Sequence, residues 1–461
     1  MLFRSFHDIS EVMWVFLYGF LTVGMVLRLK QRLELSFAKQ PGLGGHLRWA
    51  KRIAGWIPSY SYAQDTWFST DHAPIEVTNT RKAALAALGN RLRDKTPLTL
   101  AHTQEVKPHI SDLQFISQYR VPYQFREVLS QYLQLGSFWK SSDGVFLTDL
   151  DGNRFVDVTG SYGVNLLGQD FYKECVEEGV ALVKDLGPVL GSYHPCVLDN
   201  VQRLCAISKK DEVSFHMSGT EAVMQAVRLA RYHTGKRKLV RFAGAYHGWW
   251  DDVQPGPGNP MPPSDDTLTL RDMHASTLRV LNHRNDIACV LINPLQALHP
   301  SQAAPTDSTL VDAKRFAKFD RKAYTDWLQK LREVCTRKGI ALIFDEVFLG
   351  FRLAKGGAQA YFGIAADLVT YGKTLGGGLP VGVICGKKEW MKRFNDKKPV
   401  QVCFARGTFN ASPYVMGSMN VFLKRLNTAA VQDLYDNLDA DRKSTRLNSS
   451  HEWISRMPSS A

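Results

Sequence analysis

The stretch Asp367-Leu368-Val369-Thr370-Tyr371-Gly372-Lys373-Thr374-Leu375-Gly376-Gly377-Gly378-Leu379-Pro380-Val381-Gly382 decides how this chain is read. A short apolar run, Leu368 to Val369, leads towards one lysine. Three glycines follow, where neither helix nor strand continues comfortably. Lys373 is therefore predicted at a strand end. Such ends, with the loops after them, are where α/β proteins place ligands, and glycines there let backbone approach a bound group closely. An amine held in a partly desolvated pocket has a lowered pKa and can form a Schiff base with a carbonyl. A surface lysine beside a turn has the same local pattern, so the surrounding motifs must discriminate.

Upstream of Lys373, the residues Ala341 to Phe344 read as a fully buried parallel strand that runs directly into Asp345 and Glu346. A carboxylate at the end of a buried strand is costly without a cationic or donor partner. A protonated pyridinium nitrogen would be such a partner, and an Asp or Glu in that role recurs in pyridoxal phosphate sites. Earlier still, His216-Met217-Ser218-Gly219-Thr220-Glu221-Ala222 precedes a helical pattern through Tyr232. Ser-Gly-Thr before a helix supplies hydroxyls, free N–H groups and a helix N-terminus, the ingredients of a phosphate site. Ser218 alone reads equally as an ordinary N-cap. Leu239 to Phe242 reads as another strand, followed by Gly244-Ala245-Tyr246-His247-Gly248-Trp249-Trp250. An aromatic there either lies on a planar ring or packs in the core.

Taken together, Ser218-Gly219-Thr220-Glu221-Ala222, Tyr246-His247-Gly248, Phe344-Asp345-Glu346-Val347, Gly356-Gly357-Ala358-Gln359-Ala360-Tyr361, Lys373 with its glycines, and Arg406-Gly407-Thr408 carry a family resemblance. In order and spacing they resemble class III, fold-type I aminotransferases, and within that group the glutamate-1-semialdehyde 2,1-aminomutases. The resemblance covers roughly Gly136 to Leu426. It implies pyridoxal 5'-phosphate as cofactor, with Lys373 as the Schiff-base lysine and the base for a 1,3-proton shift. Asp345 would partner the pyridinium nitrogen. Ser218, Gly219 and Thr220 would hold the phosphate, Tyr246 would stack on the ring, and Val347 would pack on its other face. Gly407-Thr408 matches a segment that reaches the neighbouring subunit's phosphate, which implies a homodimer. The hairpin expected from Phe146 to Asp151 and Phe155 to Val158 opens the fold in such proteins, and Gly160-Ser161-Tyr162-Gly163 would border the substrate pocket, with Tyr162 at it. The chain departs from the family pattern at Gly168-Gln169-Asp170, where relatives continue with Gly-His, and at Asn293-Pro294, where a Glu-Pro pair is common.

At 461 residues the chain is too long for one ordinary core. With 44% hydrophobic and 22% charged residues, wholesale disorder is excluded. The net charge of +13 is spread along the sequence and points to solubility and anionic ligands. No zinc-finger spacing or RNA-binding signature accompanies it, so neither a metal nor nucleic acid is expected. Seven scattered cysteines without a C-x-x-C pair fit reduced thiols in the cytoplasm.

Val12 to Leu27 is uncharged and is followed by Arg28, Lys30 and Arg32. As a helix it would span about 24 Å, short for a bilayer crossing. A short span, an interfacial anchor on the inner face of a membrane, and a helix from an upstream domain are the open readings. The expected organisation is an N-terminal hydrophobic helix over 1–39 and an extension and linker over 40–135, with one helical stretch from Thr80 to Arg93. An α/β large domain with a mainly parallel sheet follows over 136–412, then the start of a truncated small C-terminal domain over 413–440. Residues 441–461 resemble adapter read-through and are set aside. The function expected is transfer of an amino group between an amine or amino acid and a carbonyl compound, both small molecules. Two alternatives stand beside it, an aminomutase and an inactive membrane-tethered or scaffolding module.

Overall fold

The computed structural model describes residues 2–39, 45–56, 64–69, 71–119, 123–134, 136–242, 245–254, 264–294 and 321–445. Gly244, Leu295, Gln296 and the tail beyond Thr445 lie outside them.

The uncharged N-terminal stretch forms the centre of a longer helix, α1 (Leu2–Ala38). Consecutive helical residues point about 100° apart. Met25, Val26 and Leu27 are all exposed, as are Phe20 and Leu21, so this part of α1 is uncovered around its circumference. Its last turns dock: Ala38 is buried, and its carbonyl accepts from the Arg271 N–H at 2.9 Å. Among the described residues no helix is long and apolar enough to cross a membrane.

Residues 40–135 hold more helix than expected: α2 (Leu47–Trp56), α3 (Gln64–Trp67), α4 (Ile75–Lys95), α5 (Pro97–Val106), α6 (Ser111–Tyr119) and α7 (Tyr123–Tyr132). Pro97 at the first position of α5 explains the break after α4. The Asp151 carboxylate then caps α5, accepting from Leu98 and Thr99 N–H at 2.8 and 2.9 Å. Asp151 belongs to the expected hairpin turn, so this cap ties the extension to the next unit. That unit is an antiparallel sheet of β1 (Trp139–Asp143), β2 (Phe146–Asp149) and β3 (Arg154–Val156), in which β1 is a third strand that sequence reading did not anticipate.

After the single turn α8 (Gly160–Gly163), α9 (Gln169–Val183) and α10 (Cys196–Ser208) lead into the main sheet. Its elements follow in the order β4 (Glu212–His216), α11 (Gly219–Thr234), β5 (Lys238–Phe242), β6 (Thr267–Leu270), α12 (Ala275–His283), β7 (Ile287–Ile292), α13 (Arg321–Lys338), β8 (Ala341–Asp345), α14 (Gly357–Phe362), β9 (Leu368–Gly372) and β10 (Gly382–Gly386). In space the seven strands run β4-β10-β9-β8-β7-β5-β6. Every residue of β7, β8 and β9 is buried, as expected of near-continuous apolar strands covered on both faces. The sheet is parallel except for β10, which runs antiparallel to β4 and β9. The exception has a local cause. Gly377 and Gly378, at φ of +62° and +104°, turn the chain straight back after Lys373, too soon for a crossover helix.

Beyond the sheet come α15 (Lys388–Met391), the short pair β11 (Phe394–Asn395) and β12 (Lys398–Val402), α16 (Pro413–Arg425) and α17 (Ala429–Thr445). The expected helix from Pro413 to Arg425 is α16, which packs on α9 and α10. There Asn200 donates to the Met416 carbonyl at 2.9 Å.

Asp367, just before β9, accepts from Arg332 at 2.7 Å, Lys387 at 3.0 Å and the Leu342 N–H at 2.8 Å, and joins β8, β9 and α13. Asp367→Ala leaves a half-buried guanidinium and a buried strand N–H without their acceptor, and is expected to lower stability by about 3 kcal/mol. Urea unfolding reads this as a lower midpoint; an unchanged midpoint would show that Asp367 holds nothing.

Candidate active site

Parallel pairing of β8 with β9 places Asp345 opposite Thr370, three residues before Lys373. The carboxylate of Asp345 is buried among donors. Its Oδ1 accepts from the Val347 N–H at 3.0 Å and the Thr370 hydroxyl at 3.4 Å, and its Oδ2 from His247 Nδ1 at 2.6 Å. His247 is itself buried, and its pKa is pushed below the ordinary value by burial, against the pull of Asp345. The ring is therefore neutral at pH 7, with Nδ1–H as the donor to Asp345.

Lys373 opens the tight turn after β9 with φ of +43°, a left-handed conformation for a side-chain-bearing residue. Its amine lies 5.6 Å from the centre of the Phe348 ring. Burial lowers the amine's pKa; Asp345 opposes that shift and the Arg352 cation adds to it. Arg352 is held by donation to the carbonyls of Phe348 at 3.2 Å and Gly163 at 2.7 Å.

The N-terminus of α11 faces the same strand ends. Ser218 caps it, its hydroxyl accepting from the Glu221 N–H at 3.2 Å. The plain capping role and a ligand role thus fall on one residue. The amides of Gly219 and Thr220 meet no protein acceptor among the described residues. A Cβ on Gly219 would stand 2.6 Å from Val347 Cγ1, so only glycine lets Val347 sit over this helix end. Gly248, at φ of +96°, comes equally close to Thr220 and brings the Tyr246–His247 loop onto the same terminus. The phenol of Tyr246, 40% exposed, is pushed up by burial and then by the charge of Asp345.

Lys373, Asp345, Ser218, Gly219, Thr220, Tyr246 and Val347 are thus brought to one place. Tyr162 is reached indirectly: it is exposed in α8, at φ of +57°, beside Gly163, which abuts the Phe348 ring and Arg352. Thr408 lies in an exposed turn, and no contact among the described residues ties it to Lys373. Of the departures from the family pattern, Asn293 is buried just past β7. Gln169 and Asp170 hold backbone turns: Gln169 donates to Asp157 at 3.1 Å, and Asp170 accepts from the Gly144 N–H at 2.7 Å. The roles of His247, Phe348 and Arg352 were missed in the sequence. Tyr246-His247-Gly248 was a legible signal for the first; nothing local marks the other two.

Those fixed groups suit pyridoxal phosphate: an amine for the aldehyde, a donor-ringed carboxylate for the ring nitrogen, and free helix-terminal amides for the phosphate. This arrangement of sheet, lysine turn and helix terminus is the fold-type I transferase architecture. The chain belongs to the class-III aminotransferase family, whose profile matches residues 129–456. It is 37% identical over 292 residues to a glutamate-1-semialdehyde 2,1-aminomutase of Methanococcus maripaludis, covering 60% of this chain and 63% of that one. It therefore spans under two thirds of that relative's length. A β-phenylalanine aminotransferase from Variovorax paradoxus superposes with a TM-score of 0.57 at 27% identity, over 75% of this chain and 73% of that one. A transaminase with PLP bound does so with a TM-score of 0.52 at 28% identity, over 70% and 75%.

Glu346 beside Asp345 plays a different part. Buried, it accepts from the Ala358 N–H at 2.7 Å through Oε2, while Oε1 has no partner among the described residues. Burial raises its pKa from 4.5 to about 7, against the Ala358 bond. A proton held more tightly in the folded chain contributes stability that is complete below pH 4.5 and lost as pH rises through about 7. Glu346→Gln does not titrate, so the variant's melting temperature minus the wild type's should grow across that window. A flat difference would show that Glu346 titrates normally.

Proposed function

We propose that this protein binds pyridoxal 5'-phosphate on Lys373 and transfers an amino group between an amine or amino acid and a carbonyl compound. The observation that carries this reading is the Lys373 amine, desolvated and fixed in a strained turn beside the buried, donor-ringed Asp345. When bound, the cofactor supplies an electron sink that stabilises the carbanion left by proton removal. The remaining work falls to the chain. Asp345, held by Val347, Thr370 and His247, keeps a proton on the ring nitrogen. A neutral His247 leaves that carboxylate its charge. The α11 terminus, with Ser218, Gly219 and Thr220, takes the phosphate, and Tyr246 and Val347 flank the ring. A lowered pKa leaves more of the Lys373 amine unprotonated near neutrality, able to take a proton from one substrate carbon and return it to another. Phe348 beside the amine keeps water from it. Tyr162 borders the substrate, and Thr408 acts across a homodimer.

The departures from the family pattern at buried Asn293 and at Gln169-Asp170, together with the long N-terminal extension, favour an aminotransferase that releases its product over an aminomutase that retains it. Asn293 cannot form the ion pair on which a switch between two amino-acid substrates depends. A labelled amino donor separates the two, the label leaving in product or staying within one molecule.

Borohydride treatment with added pyridoxal phosphate should trap the cofactor covalently on wild type and not on Lys373→Ala, read by absorbance and intact mass. Equal trapping on both, or none on wild type, would sink the reading; none on wild type favours the inactive scaffold.

The uncovered apolar collar of α1 supports a second property, attachment to an anionic membrane face, with residues 12–27 in the interface and Arg28, Lys30 and Arg32 at the headgroups. Phosphatidylserine vesicles should sediment the intact chain and leave one lacking residues 1–32 in the supernatant. Equal sedimentation of the two would refute it.

A further inference from the structure

Arg241, on β5, is 7% exposed, and no carboxylate pairs with it among the described residues. A buried cation without a counterion needs compensating acceptors. Arg241 finds them in one loop: Nη1 donates to the Val253 carbonyl and Nη2 to the Ala245 carbonyl at 3.4 Å. These two carbonyls stand at opposite ends of residues 245–253, the segment that carries Tyr246, His247 and Gly248. Val253 also closes the segment on itself, its N–H bonding to the Trp250 carbonyl at 3.0 Å. A guanidinium is planar, with donors fixed in a fork, and can span two carbonyls where a lysine ammonium on a flexible stem cannot hold both.

We propose that Arg241 is a positioning residue that bridges the Ala245 and Val253 carbonyls, closing the aromatic loop so that Tyr246 and His247 stand against Asp345. The arginine touches neither Asp345 nor Lys373; it acts through the loop. Its charge also lowers the proton affinity of His247, in the same direction as burial. This inference rests on the reading of the Lys373 centre as a pyridoxal phosphate site, and its first readout is independent of that reading.

Hydrogen exchange followed by mass spectrometry on the cofactor-free chain should show amides of residues 245–254 exchanging faster in Arg241→Lys than in wild type, with β8 and β9 equally protected in both. Pyridoxal phosphate affinity, followed by tryptophan fluorescence, should fall about tenfold, the effect expected for loss of one charge-assisted hydrogen bond. The absorbance band of the bound cofactor should shift, because His247 no longer fixes Asp345; a merely less stable fold would leave its wavelength unchanged. Arg241→Gln, which keeps a donor and removes the charge, serves if the lysine variant does not fold. Unchanged exchange in 245–254 would overturn the proposal, as would faster exchange with unaltered affinity and band. A wild-type chain that binds no pyridoxal phosphate would refute the cofactor reading and leave the exchange experiment to judge the loop.

Discussion

A carboxylate at the end of a buried parallel strand is the constraint on which this site depends. Asp345 is surrounded by three donors from three different parts of the chain, the turn after β8, the neighbouring strand β9 and the loop after β5. An ionised group in that position is tolerable only while those donors stay in place. The packing of β8 on β9 and the closure of the Tyr246–His247 loop therefore serve the same end. Lys373 follows three residues after Thr370, so the register that puts Asp345 opposite Thr370 also fixes the lysine's distance along the strand.

The two neighbouring acids show how one interior treats like groups differently. Asp345 faces donors on both oxygens, whereas Glu346 points away to the Ala358 N–H, its second oxygen unpartnered among the described residues. The first environment holds the carboxylate in place with donors from three segments. The second favours a protonated side chain that fastens the start of α14 beneath the site. Alternation of side chains along extended backbone is enough to separate them.

Reversal of the chain after Lys373 has consequences beyond the turn itself. It makes β10 antiparallel, so β4 is joined to the rest of the sheet through that strand, and β4 in turn leads into the N-terminus of α11. The lysine turn and the phosphate-type helix terminus are thereby neighbours in space, although more than 150 residues separate them in sequence. Glycine at 219 lets Val347 close the gap between them.

Most of the central site was legible in the sequence because each motif sits at the end of a strongly apolar strand, where periodicity and punctuation are clearest. Lys373, Asp345, Ser218 to Thr220 and Tyr246 all fall in such places, and the parallel sheet follows from the alternation of buried strands with helices. Weakly patterned segments were less readable. The helices over 40–135 depend on contacts such as Asp151 capping α5, and β1 pairs with β2 largely by exposed residues, so neither leaves a strong local period. Gln169 and Asp170, where the chain departs from the family pattern, bond to Asp157 and Gly144, partners that their own sequence neighbourhood does not mark. What the sequence by itself determined was the chemistry available at each strand end. What only the tertiary structure decided was which of those groups meet: His247 on Asp345, Arg352 near Lys373, Arg241 across the aromatic loop. Those partners come from distant segments, and strand register and loop closure, not local pattern, bring them within hydrogen-bond reach.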